Sequence, residues 1–245
     1  DGIRDVERSR GLGDVYKRQH QYSIDNNVLS KFVEKISSFN KSKLKTVEYI
    51  SKSRTPYLPY SCIILDEIMK VSNPKKIICS ISGLREGSLS IDHFKDVKES
   101  EIFYKAIEKV AQKRGDLGSN YKKYYDFIHP VFEGNEHFNK KLLYLACVLS
   151  HMDWGLGAFQ KAELVFQETI NTPLLRLTHK ERIQLALSCY WRYCSIKYNP
   201  KIEYLTFLNN NEIFSSKQVG AALRFSQSLT SISTIFLEEF KLYKR

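Results

Sequence analysis

The sequence predicts an α+β chain that is mostly α, and three observations carry that reading. Apolar residues recur at helical spacing from Val28 through most of the 245 residues. One run, Lys76 to Ser82 (KIICSIS), is dense in β-branched residues and stops at Gly83, which predicts a buried strand meeting a glycine turn. Beyond about Asp92 the strand signals fade, and amphipathic helices alone follow.

The first nineteen residues, DGIRDVERSRGLGDVYKRQ, show no helical or strand period, and they mix glycines with many charges. They read as a leader foreign to the fold, resembling the translated adapter tails found at the ends of assembled gene fragments. On that reading the chain is a fragment that lacks an upstream part. Val28, Leu29, Phe32, Val33 and Ile36 then mark a helix, and Leu44, Val47 and Ile50 mark a second over about 42–50. After a turn holding Arg54, Pro56 and Pro59, a third helix over 60–69 puts Cys62, Ile63, Leu65, Ile68 and Met69 on its apolar side and ends at Asn73-Pro74. Further helices are expected at about 100–114, 119–129, 136–152, 159–171, 178–197 and 216–230, with a short β segment over 204–208. The polar stretch 88–98 marks the expected boundary. The domains are then a leader at 1–19, an α/β part at 20–92 and a helical part at 93–245.

Composition excludes several classes. With 42% hydrophobic and 13% aromatic residues, the chain has ample material for a packed core and is not disordered. No apolar run approaches the roughly 20 residues of a bilayer span, so no membrane partner is expected and the location is expected to be cytoplasmic. Cys62, Cys79, Cys147, Cys189 and Cys194 lie in apolar segments without a C-x-x-C pair and read as reduced core residues. The net charge of +11 is spread along the chain, with 11 basic against 7 acidic residues over 20–93 and 22 against 16 over 94–245. A diffuse positive field attracts polyanions without choosing among them.

The most specific string is Ser82-Gly83-Leu84-Arg85-Glu86-Gly87, directly after the expected strand. A glycine there lets backbone amides approach an anion, and an arginine fork holds phosphate oxygens through paired hydrogen bonds. The plainer reading is a turn closed by an Arg85–Glu86 ion pair. Together with Ser53-Arg54-Thr55-Pro56-Tyr57-Leu58-Pro59, then a helix, then a strand, this order resembles the end of the phosphatase core of the exopolyphosphatase/guanosine pentaphosphate phosphatase (Ppx/GppA) family. Arg114 to Gly118, Leu142 to Trp154 and Val219 to Arg224 look like the helical C-terminal region of that family in its alphaproteobacterial form.

The resemblance implies the C-terminal piece of an actin-like ATPase-type (ribonuclease H-like) domain, followed by an all-α domain related to the HD phosphohydrolase fold. It implies an intact enzyme that removes terminal phosphate from inorganic polyphosphate or guanosine pentaphosphate with Mg²⁺, and it admits a homodimer at full length. Glycine-rich Asp-x-Gly-Ser strings of the catalytic half are absent from this sequence, so no catalytic residue is assigned and no cofactor is expected on this chain alone. The residues expected to contact phosphate are Arg54, Ser82, Gly83 and Arg85, with Lys75 and Lys76 as a rim. A non-catalytic basic helical module binding polyphosphate or RNA is the alternative, with nucleic acid the less favoured partner.

The histidines argue for little. His151 and Asp153 are i and i+2, on different sides of a helix, whereas an HD pair is adjacent, and no histidine follows in 154–171. His129 and His137 have nothing that fixes their mutual geometry. Tyr190, Trp191, Tyr193 and Tyr198, with Arg192 and Lys197 between them, offer either a stacking surface or a buried helix. Their mixing with Leu185, Leu187, Cys189 and Cys194 favours the core, with the basic residues free to line a phosphate channel.

Overall fold

A computed structural model describes residues 21–47, 50–80, 82–93, 99–113, 120–151, 155, 157–172, 174, 177–198, 200, 202–230 and 235–243. The leader, Arg114 to Gly118, Asp153 and Trp154 lie outside them. The described residues are mostly helical, and they fall into two units, Asp1–Ile81 and Ser82–Arg245.

In the first unit, β1 (Ser23–Asp25) runs antiparallel to β2 (Lys76–Ile78), with Ile24 opposite Ile77. Gln21 and Tyr22 extend the pairing through bonds of 2.8 and 2.9 Å with Cys79. Asp25 then starts α1 (Asn26–Ser37), its carboxylate accepting the Asn27 amide at 2.9 Å as an N-cap. A short α2 (Lys41–Leu44) and a 3₁₀ turn (Thr55–Tyr57) lead into α3 (Leu58–Ser72), which Asn73 ends in the left-handed conformation, φ 42°. Helices α1 and α3 pack on each other around Val33, Ile36, Leu44, Cys62 and Met69, with Leu65 and Ile77 half-buried against them.

Two expectations fail here. The expected buried strand over 76–82 shrinks to three residues whose Ile78 is 56% exposed, since among the described residues only β1 pairs with it. The apolar side of α3 divides: Cys62 and Met69 are buried, but Ile63 and Ile68 are exposed, because at 100° per residue they turn away from the Cys62–Leu65–Met69 line. Tyr60, Ile64 and Val71 join them, the last 87% exposed, so α3 carries a second apolar stripe opposite the first.

The second unit begins with α4 (Leu84–His93) and α5 (Glu99–Lys113). It continues through α6 (Tyr121–Phe132), α7 (Lys140–Leu149), α8 (Ala158–Asn171), α9 (His179–Tyr193), α10 (Ile202–Leu205), α11 (Asn210–Thr230) and α12 (Phe236–Glu239). Helix α9 is the hub. Every residue from Arg182 to Tyr193 is buried, and α8, α11 and α7 pack around it. Tyr190, Trp191 and Tyr193 are therefore core, as expected, whereas Tyr198 is 65% exposed. The β segment over 204–208 is not formed: Tyr204 lies in α10, with its ring edge-on to Phe166 at 4.7 Å. Cys62, Cys147, Cys189 and Cys194 are buried free thiols and Cys79 is half-buried, and burial pushes the Cys147 thiol well above its usual range. No helix among the described residues is long and apolar enough to cross a membrane.

The start of α9 has a consequence for pH. Thr178 and Glu181 form a reciprocal capping box, which places His179 in the first turn, 7% exposed and edge-on to Phe207 at 5.2 Å. Burial, and then the Arg182 charge, lower its pKa from 6.5 to about 4. A depressed histidine favours the folded state above the unfolded pKa, so this stability is complete above about pH 6.5 and is lost as pH falls towards 4. His179→Phe should keep the ring packing and remove about 2 kcal/mol of the stability difference between pH 7 and pH 4.5 in urea titrations. Parallel pH dependences in the two proteins would contradict the assignment.

Candidate functional site

The expected phosphate contacts fall in different units: Arg54 belongs to the first, while Ser82, Gly83 and Arg85 form one continuous stretch at the head of the second. Arg54 is fixed by its backbone. Its amide donates to the Ser51 carbonyl at 2.8 Å, the Thr55 amide and hydroxyl converge on the same carbonyl, and its own carbonyl accepts from Tyr57. Pro56 holds the turn that follows. The side chain is exposed and makes no capping bond.

At the second place, the expected glycine turn is instead the start of α4. Gly83 occupies the capping position, its carbonyl accepting the Gly87 amide at 3.1 Å. The Gly83 amide donates to Glu86 Oε2 at 2.7 Å. Hydrogen bonds from the amides of Glu86 itself and of Gly83 hold the Glu86 carboxyl below the usual carboxylate range. Glu86 is thus the anion at this helix start, engaged with backbone rather than with Arg85, and the plain ion-pair reading is not what forms. Arg85, the second residue of α4, is exposed, and no carboxylate partners it among the described residues. Ser82 is half-buried. A Cβ on Gly83 would meet Glu86 Oε2 at 3.2 Å, and one on Gly87 would meet nothing within 4 Å. Neither glycine has the positive φ that would demand it. The signal for this cap was in the sequence, as a capping residue followed three positions later by glutamate.

Residues 10–93 match the family model described as the Ppx/GppA phosphatase family. These residues are similar to that family. The match contains both Arg54 and the Ser82–Gly87 string, and it begins inside the run read as a leader. No protein of curated function matches the chain.

Outside the matched residues, one cluster escaped the sequence reading. Arg192 is 1% exposed. Its Nε donates to Gln227 Oε1 at 3.0 Å and its Nη1 to Ser150 Oγ at 2.6 Å, while Nη2 lies 3.2 Å from His151 Nδ1. A guanidinium only donates, so Nδ1 accepts and the ring proton sits on Nε2. The guanidinium carbon also lies over the Tyr124 and Tyr193 rings at 5.3 and 5.6 Å. His151 thus turns Nδ1 to Arg192. Among the described residues no three His, Cys, Asp or Glu side chains gather as a metal site would require.

Proposed function

We propose that this chain is the C-terminal portion of an exopolyphosphatase of the Ppx/GppA family and that it supplies phosphate binding to an enzyme acting on inorganic polyphosphate or guanosine pentaphosphate. The observation that carries the reading is the family match over the residues that hold Arg54, Ser82, Gly83 and Arg85. The bare second stripe of α3 and the two-stranded ribbon support it, since a helix apolar on two faces belongs inside a larger layered domain. In that reading the first unit is the end of an actin-like domain, the second is an HD-related helical domain, and the intact enzyme is cytoplasmic and admits a homodimer.

Arg54 and Arg85 hold phosphate oxygens through guanidinium hydrogen bonds, Ser82 adds a hydroxyl, and Gly83 offers an amide where phosphate competes with the Glu86 carboxylate. In the intact enzyme, water attacks a terminal phosphorus with a carboxylate base orienting it, and the arginines stabilise the charge that develops on the phosphoryl oxygens. Mg²⁺, which the family implies, would supply further charge neutralisation, and no residue of this chain is assigned to it.

The test is phosphate release from polyphosphate with Mg²⁺, by this chain and by a longer polypeptide joining it to an upstream Ppx/GppA half. Activity confined to the longer protein, and lowered about tenfold or more by Arg85→Ala, is the expected result. Turnover by the present chain alone would move the search for a catalytic centre into the helical unit.

A further inference from the structure

The turn that carries Arg54 also presents an aromatic ring. The Ser51 carbonyl accepts from the Arg54 amide at 2.8 Å, the Thr55 amide at 3.0 Å and the Thr55 hydroxyl at 3.1 Å. Pro56 fixes the middle of the 3₁₀ turn, and the Tyr57 amide closes it on the Arg54 carbonyl at 3.0 Å. On the other side, the Tyr57 carbonyl accepts the Ser61 hydroxyl at 3.2 Å, which ties the turn to the first turn of α3. Side chains three residues apart eclipse each other in a 3₁₀ turn, so Arg54 and Tyr57 stand on one side of it, separated by about 6 Å of rise. Both are exposed, Tyr57 at 67%, and the exposed Ser51 and Ser53 hydroxyls lie 3.2 Å apart just before Arg54. Leu58, next in the chain, packs half-buried against the α1–α3 core. The turn thus faces its leucine inward and holds its tyrosine and arginine in solvent on a hydrogen-bonded frame.

We infer that Tyr57 is a specificity-determining residue, whose ring stacks on the purine of a nucleotide while Arg54 holds its phosphates. The inference rests on the phosphatase reading above and chooses between the two substrates of that reading. Inorganic polyphosphate carries charge but no flat face, so it gains from Arg54 and nothing from Tyr57. Guanosine pentaphosphate carries both, and its ribose bridges a base on the ring to a phosphate on the guanidinium one turn away. A base stacked on an aromatic side chain gains affinity whatever its hydrogen-bonding edge, so the ring selects nucleotides as a class over inorganic chains. Because the frame is already hydrogen-bonded, little backbone freedom is lost when the ligand arrives. The turn therefore favours guanosine pentaphosphate over polyphosphate.

The experiment measures binding of the full chain to guanosine pentaphosphate and to inorganic triphosphate by titration calorimetry. Tyr57→Ala should weaken guanosine pentaphosphate about tenfold and change inorganic triphosphate little. Tyr57→Phe, which keeps the ring and drops the hydroxyl, should retain nucleotide binding, and Tyr57→Trp should retain or tighten it, whereas Arg54→Ala should weaken both ligands. In wild type, the Tyr57 ring protons should shift upfield on adding the nucleotide and stay in place on adding inorganic triphosphate. Nucleotide affinity unchanged in Tyr57→Ala, or an equal loss for both ligands, would overturn the stack, and the phosphatase reading would still stand if Arg54→Ala weakens both. A wild-type chain that binds neither guanosine pentaphosphate nor inorganic phosphate chains would overturn the two readings together.

Discussion

Replacing Gly220 by alanine should destabilise the helical unit by about 3 kcal/mol or more, at the top of the range for overpacking a core. A Cβ at this position would lie 2.6 Å from Trp191 Cβ, 2.9 Å from the Ser188 carbonyl oxygen and 3.0 Å from the Trp191 carbonyl carbon. The obstacles are backbone atoms and the root of a fully buried tryptophan, none of which can rotate away. Relief requires α11 to move off α9, and that contact is the most extensive between any two elements of the described residues. Ser188 and Ser216, both fully buried, keep the same seam narrow, their hydroxyls turned back onto the carbonyls of Gln184 and Glu212. Thermal unfolding checks this: a loss of about 6–12 °C is expected for a unit of this size. Gly87→Ala is the control. Its Cβ meets nothing within 4 Å and it lies inside α4, so alanine there should leave the melting temperature unchanged or raise it slightly through helix propensity. Equal tolerance at the two glycines would show that α9 and α11 do not approach as described.

The contrast between the two glycines shows what the sequence could and could not convey. Helix existence was legible wherever apolar spacing was sustained, as in α8 and α9, whose expected starts at 159 and 178 fall within a residue of the observed ones. What was not legible depended on partners distant in the chain. Nothing local distinguishes Ile63 from Cys62 in α3, because both stripes are apolar and only α1 decides which one is covered. The run Lys76 to Ser82 looked like a buried strand because burial and β-branching usually coincide, yet the ribbon leaves Ile78 open. Tyr204 to Leu208 offered partial alternation, and the packing of Tyr204 on Phe166 set a helical turn instead. At the Ser82–Gly87 string, the plain reading of an Arg85–Glu86 ion pair missed the cap, because the partner of Glu86 is the Gly83 backbone amide rather than a side chain.

Arg192 is the residue whose environment the sequence hid most completely, and its removal should have the second large effect. Flanked by Trp191 and Tyr193, it reads locally as a surface cation on an aromatic helix, but its partners Ser150 and Gln227 lie 42 and 35 residues away. Burying a charge is costly unless it is hydrogen-bonded, and here neutral acceptors and two aromatic faces take the place of a carboxylate. Arg192→Met should therefore cost about 3–5 kcal/mol: it strands the buried Ser150 hydroxyl and the Gln227 carbonyl oxygen, even though the methionine fills much of the volume. Arg192→Lys should recover little of this, because one ammonium cannot span acceptors on α11 and at the end of α7 together. A second substitution separates the charge from the network. Gln227→Leu alone removes one acceptor and should cost about 1–3 kcal/mol, while the double variant Arg192→Met with Gln227→Leu should be less destabilised than the sum of the two. Urea unfolding of the four proteins gives that coupling. Strict additivity would mean that α9 and α11 are held by their apolar seam alone, and the Gly220 contact would then account for the whole of their specificity.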